Sequence, residues 1–195
     1  MSSNKRIALF GGLFDPPHHG HLRVVKAALT HLHLDKLIVL PAYMPSHKDV
    51  PALNAEARLA LTRAAFKDLD KVEVSDIEIQ RGGLSYTHET LSAFHADNPD
   101  TDLFFLIGAD NIPEISTWRH PEKIFALATL AVVARPPFPF LDHFPELASR
   151  MVPVPVEPLE LSSTDLRRRL SNNTDLSGFL PLPVLELILE NGWYR

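Results

Sequence analysis

Ile7-Ala8-Leu9-Phe10-Gly11-Gly12-Leu13-Phe14-Asp15-Pro16-Pro17-His18-His19-Gly20-His21 begins as an apolar run of strand type and ends in two glycines and two histidines spaced three apart. Glycine lacks a Cβ, so the backbone N–H groups of Gly11 and Gly12 can approach a ligand closely. His18 and His21 add donors near the start of a helix. The stretch reads as strand, phosphate-binding turn and helix. That helix, expected from about His21 to His33, carries Leu22, Val25, Leu29 and Leu32 at helical spacing.

The same alternation continues outward. A strand is expected at 36–40, where Leu37, Ile38, Val39 and Leu40 form a continuous apolar run suited to a buried parallel strand, followed by a helix at about 55–67 and a strand at 72–74. A helix near 87–96, a strand at 103–107, a short helix near 111–115 and a strand at 130–134 repeat the scheme. These elements predict a Rossmann-like α/β fold: a doubly wound, parallel, five-stranded sheet of order 3-2-1-4-5, completed by C-terminal helices. One such helix should start near Ser163, and a last one should run from about Leu182 to Glu190 and end at Gly192. Residues 136–158 read as a proline-rich, irregular stretch, expected to be packed because it carries Phe138, Phe140, Leu141 and Phe144.

With 195 residues, no repeat and no linker, residues 1–195 are expected to form a single domain. Apolar residues make up 45% and charged residues 22%, the balance of a globular protein rather than a disordered one. A net charge of −5, with Arg167-Arg168-Arg169 as the densest basic run, argues against polymeric nucleic acid as a partner. The absence of cysteine excludes disulfides, thiolate metal sites and a thiol nucleophile. No apolar run approaches the roughly 20 residues of a membrane span and no signal-peptide core is evident, so a cytoplasmic location is expected.

The unusual residues follow strands, where open α/β sheets form their ligand crevice. They are residues 11–21, 41–48, 108–110 and 135–136. Neither Gly-x-Gly-x-x-Gly nor Gly-x-x-x-x-Gly-Lys-Ser/Thr is present, which disfavours a dinucleotide dehydrogenase and a P-loop ATPase. His18 and His21 share a helix face and can donate to phosphoryl oxygens. A bare turn with surface histidines and a metal site of Asp15, His18 and His21 are the competing readings. The latter lacks further ligands at zinc-like spacing.

Ser162-Ser163-Thr164-Asp165 is a helix-capping signature. With Arg167 one turn in, it also reads as an anion site, whereas Arg168 and Arg169 read as solvated face residues. His47 and Lys48 offer positive charge to a polyphosphate. Tyr86, Thr87 and Trp118 suit a planar ring bearing a carboxylate, and Asp110 suits ribose hydroxyls or a helix cap. His31, His33, His88, His95, His120 and His143 read as surface or packing residues.

Gly-Gly-x-Phe-Asp-Pro-x-His-x-Gly-His resembles the nucleotidylyltransferase signature, and the chain is similar to bacterial nicotinate-mononucleotide adenylyltransferases. The resemblance extends through Pro45-Ser46-His47-Lys48, Ser85-Tyr86-Thr87, Ile107-Gly108-Ala109-Asp110, Trp118, Arg135-Pro136 and Ser162–Arg167 to Gly192-Trp193-Tyr194-Arg195. It implies transfer of AMP from ATP to nicotinate mononucleotide, with Mg²⁺ carried by phosphates and water and no protein metal site. It further implies His18, His21 and Arg167 as catalytic residues, and ATP contacts from Gly11, Gly12, Leu13, Phe14, His18, Gly20, His21, Gly108, Asp110, Ser162, Ser163, Thr164 and Arg167. The mononucleotide would meet Asp15, His47, Lys48, Tyr86, Thr87, Asp110, Trp118 and Arg135. Nicotinamide-mononucleotide or dual specificity, a small cytidylyltransferase and a non-catalytic nucleotide sensor are the alternatives. Leu13 departs from the small hydroxyl residue usual in the family, and Ser46 from a common proline.

Overall fold

The computed structural model describes residues 4–45, 50–134, 147–157, 161–172, 176 and 178–195. Its main sheet contains strands β1 (Lys5–Gly12), β2 (Lys36–Pro41), β4 (Val72–Val74), β6 (Thr101–Gly108), β7 (Thr129–Ala134) and β8 (Met151–Pro155). All pairings are parallel, in the order β4-β2-β1-β6-β7-β8. The five expected strands therefore occupy the expected relative order. The expectation of five strands is corrected to six, because residues 151–155, read as irregular, pair with β7. Pro153 and Pro155 obscured that strand; lacking N–H donors, prolines are tolerated on an edge strand, where β8 lies.

Alternating side chains of each central strand feed two cores, as strand geometry requires. Ala8, Leu37, Val39, Phe104, Leu106, Ala131 and Val154 face one side, while Ile7, Leu9, Ile38, Leu40, Phe105, Ile107, Leu130 and Val132 face the other. The first side is covered by α1 (His19–His31), α2 (Ala55–Phe66), α6 (Ser163–Ser171) and α7 (Leu182–Asn191), through Val25, Leu61, Leu166, Leu170, Val184 and Ile188. The second is covered by α4 (Thr87–Asp97), a 3₁₀ segment (Ala109–Thr117) and α5 (Pro121–Leu127), through Leu91, Ile112, Ile115 and Ile124. Helices on both faces make the sheet doubly wound.

Three local differences from the sequence reading have clear causes. α1 starts two residues earlier than expected, because His18 itself caps it. The helix expected near 111–115 is 3₁₀ with Pro113 inside it. Short elements with too few residues for a periodic signal were missed: α3 (Ile77–Arg81), α5, and the parallel pair β3 (Met44–Pro45) with β5 (Leu84–Ser85). That small pair ties the loop after β2 to the start of α4, reinforced by Tyr43 N–H donating to Ser85 Oγ at 3.0 Å. The expected packing of Phe138, Phe140, Leu141 and Phe144 lies outside the described residues, and no helix among the described residues is long and apolar enough to cross a membrane.

Candidate active site

The two histidines interlock at the start of α1. His18, the N-cap, accepts at Nδ1 from the Gly20 N–H (3.1 Å), and His21 accepts at Nδ1 from the His18 N–H (3.1 Å). This is a capping box made of imidazoles instead of the usual hydroxyl and carboxylate. An Nδ1 that accepts carries no proton, so the proton of each neutral ring sits on Nε2 and can be donated outward. The rings stack at 3.8 Å between centroids. Burial, with a smaller contribution from neighbouring His19, pulls the His18 pKa down to about 4. Near neutral pH His18 is thus an uncharged hydrogen-bond donor.

The backbone donors of this helix start are already engaged. Besides the two amides bound to imidazoles, His19 N–H donates to Phe179 O at 3.1 Å. Donation to a ligand at the start of α1 therefore falls to side chains rather than to these amides. Gly20 is required by the ring above it, since a Cβ there would lie 2.8 Å from His18 Nδ1 and Cε1. Gly12 is similarly pressed by Phe14, at 2.9 Å, while Gly11 meets only ordinary contact with Phe105. Phe14 is buried, with a left-handed φ of 50°, and its ring meets His21 edge-on at 5.0 Å, so it supports the second histidine from beneath.

A cavity of about 260 Å³ opens beside these groups, walled by His18, Gly20, His21, Val133, Ala134 and Leu161 among others. It lies at the carboxyl end of β7 and the start of α1, where a doubly wound sheet places its ligand crevice. α6 docks alongside: Ser162 caps it by accepting from Asp165 N–H at 3.1 Å, and Ser163 Oγ donates to Pro16 O at 3.0 Å. Arg167 donates to Asp15 O at 2.9 Å and to Thr164 Oγ at 3.3 Å. The segment from Ser162 to Arg167 therefore sits against the loop that carries His18. Arg168 pairs with exposed Asp165, and Arg169, expected to be a solvated residue, also lies over the Phe179 ring at 4.7 Å.

Asp110, Tyr86, Thr87 and Trp118 do not wall this cavity, and neither do Ser162, Ser163, Thr164 and Arg167. Asp110 is exposed two residues after β6 and accepts from Asn111 Nδ2 at 3.2 Å, with its carboxylate folded back over Gly108. Trp118 is half-buried and meets Phe105 edge-on. Tyr86 precedes Thr87, the first residue of α4, and lies under the Arg119 guanidinium at 4.6 Å. His88, packed as expected, is buried next to His120, and its pKa is lowered by burial and then by His120. His47, Lys48 and Arg135 lie outside the described residues.

Asp15, expected at the mononucleotide, is 2% exposed and its carboxylate is already engaged within the protein. Oδ2 accepts from Ala52 N–H and Oδ1 from Tyr194 Oη, both at 2.7 Å. Leu13 contributes its backbone oxygen to Arg58 Nη1 at 3.0 Å. Sequence reasoning missed Arg58, which is 1% exposed and also donates to Tyr43 O and Leu53 O. An arginine on the helical surface pattern of α2 carries no sign of burial. Its pKa is lowered by burial, with Asp15 and Tyr194 opposing the shift. Among the described residues no three histidine, aspartate or glutamate side chains converge on a metal position.

Known proteins resemble this chain in sequence and fold. The cytidylyltransferase-like family matches residues 9–169. A "Probable nicotinate-nucleotide adenylyltransferase" of Exiguobacterium sibiricum is 40% identical over 97% of this chain and 98% of its own. One from Thermus thermophilus is 40% identical over 97% of this chain and all of its own. A solved Plasmodium falciparum nicotinic acid mononucleotide adenylyltransferase, complexed with NaAD, superposes with a TM-score of 0.81 over 98% of both chains; at 19% identity it bears on the fold alone.

Proposed function

The chain belongs to the cytidylyltransferase-like family and, within it, to the nicotinate-nucleotide adenylyltransferases, and from that premise we propose how its residues divide the work of adenylyl transfer. The protein transfers AMP from ATP to nicotinate mononucleotide. A 5′-phosphate oxygen of the mononucleotide bonds to the α-phosphorus of ATP, the bond from that phosphorus to the oxygen bridging to the β-phosphate breaks, and pyrophosphate leaves. The nucleophile is already anionic, so no general base and no covalent enzyme intermediate are needed. Catalysis rests on positioning and on donors aimed where charge develops.

The observation that carries the assignment of roles is the interlocked imidazole pair at the cavity edge. Each ring is held at its Nδ1 by a backbone N–H, and both rings wall the cavity. His18 acts as a neutral donor, and His21 donates beside it toward the α- and β-phosphates. Arg167, with Ser162, Ser163 and Thr164, faces the leaving pyrophosphate, while Gly11, Gly12, Leu13, Phe14, Gly20 and Gly108 let backbone approach ATP. Tyr86, Thr87 and Trp118 receive the pyridine ring and its carboxylate, and Asp110 the ribose. His47, Lys48 and Arg135 supply positive charge to the mononucleotide side. Mg²⁺ enters as part of MgATP, held by phosphate oxygens and water. Asp15 acts from within the protein, through the contacts of its carboxylate.

The test is pyrophosphate release from MgATP with nicotinate mononucleotide, repeated with nicotinamide mononucleotide and with His21→Ala. Turnover should favour the acid, and the variant should lose orders of magnitude in kcat while keeping its unfolding midpoint. Near-normal turnover by His21→Ala would remove His21 from the mechanism.

A further inference from the structure

Tyr194 lies far from the histidine turn in sequence, yet its hydroxyl reaches the loop that carries it. The segment after α7 turns back through Gly192, at φ 65°, and Tyr194 itself adopts a left-handed φ of 64°. That region disfavours a residue with a bulky side chain, so surrounding contacts must hold it. Trp193 packs on the first core and its N–H donates to Ile188 O at 3.1 Å, which anchors the turn. The phenol then donates to Asp15 Oδ1 at 2.7 Å. Burial and the neighbouring Asp15 charge push the Tyr194 pKa upward, so the hydroxyl keeps its proton and acts toward this carboxylate as a donor.

Asp15 faces several donors at once. Its Oδ2 is held by Ala52 N–H, Arg58 lies close enough to feel its charge, and Arg167 Nη1 stands 3.9 Å from Oδ2 while donating to the Asp15 backbone oxygen. At 3.9 Å the Arg167 contact is an ion pair without a hydrogen bond. Tyr194 holds the opposite oxygen, Oδ1, with a short bond, and Ala52 N–H holds the oxygen that Arg167 faces. We propose that Tyr194 is a positioning residue: by donating to Asp15 Oδ1 it fixes the carboxylate's orientation and takes up part of its charge, so that Arg167 stays at ion-pair distance from Oδ2 and its guanidinium remains available to the polyphosphate of ATP.

This inference rests on the role assigned above to Arg167, and its test separates the two. Tyr194→Phe removes only the hydroxyl. Its kcat/KM for MgATP should fall about tenfold, with KM for nicotinate mononucleotide unchanged within twofold and the unfolding midpoint near that of the wild type. In an Arg167→Ala background the same substitution should cost nothing further, since the residue it acts through is gone. Calorimetric titration of MgATP into the four proteins should show the same pattern in affinity. An equal loss in both backgrounds, an equal rise in KM for both substrates, or no loss at all would overturn the proposal. If the wild type released no pyrophosphate, the catalytic reading would fail, and the binding titrations would still decide whether Tyr194 acts through Arg167.

Discussion

Gly20→Ala separates the position of a catalytic ring from the stability of the fold. Gly20 is the second residue of α1, in a backbone conformation open to any amino acid, but its added Cβ would stand 2.8 Å from His18 Nδ1 and Cε1. To restore ordinary contact at 3.4 Å the imidazole must retreat by about 0.6 Å. That shift moves its Nε2–H and stretches the 3.1 Å bond from Gly20 N–H that sets the tautomer. Misplacement of about 1 Å can cost roughly 100-fold, so kcat should fall roughly 10- to 100-fold, or about 1.4–2.7 kcal/mol of barrier. Stability should move little. Alanine gains about 0.5–1 kcal/mol over glycine in a helix, while the weakened cap loses about 1 kcal/mol. For a chain of this length the net effect should be a Tm change within about 3 °C. The assay is steady-state pyrophosphate release beside a thermal melt. Wild-type kcat with Gly20→Ala would show that the ring's placement does not govern the reaction, and a collapse of Tm would show that the clash is borne by the backbone.

Two further predictions concern the buried groups around the same loop. Because burial holds the His18 pKa near 4 against an ordinary value of 6.5, the unfolded chain binds the extra proton first; this residue's contribution is complete above pH 6.5 and is lost as pH falls through 4, by about 3 kcal/mol in all. Urea midpoints at pH 4.5 and 7.5 should therefore differ less in His18→Asn than in the wild type, and an unchanged difference would refute the assignment. Arg58→Met leaves the carbonyls of Leu13, Tyr43 and Leu53 without their donor and removes a buried charge facing Asp15, so urea unfolding should show a loss of about 3–5 kcal/mol; a loss below about 1 kcal/mol would show that water replaces those bonds.

β1, β2, β6 and β7 were visible as apolar runs because they lie inside the sheet and are buried on both faces, while β4, an edge strand with exposed Glu73, showed only as two valines after a helical pattern. The edge strand 151–155 escaped because its prolines suggest irregular backbone, and only the exposed edge beside β7 makes them acceptable there. α3 and the β3–β5 pair escaped because elements of five residues or fewer carry no usable period. Among the residues proposed for the site, His18, His21 and Ser162–Arg167 stood out through glycine spacing and capping pattern, since those signals are local. Arg58 and the inward contacts of Asp15 were not: their partners Leu13, Tyr43, Ala52 and Tyr194 are brought near only by folding.

The amino-acid sequence by itself determined the α/β alternation, the glycine turn after β1 and the placing of two imidazoles at the following helix start, because backbone freedom at glycine and donor type are properties of residues and their neighbours. Tertiary structure alone decided that His18 is buried with its Nδ1 held by Gly20 N–H, and that the Asp15 carboxylate is engaged within the protein. Those outcomes depend on burial and on hydrogen-bond partners up to 179 positions apart, which no local pattern encodes.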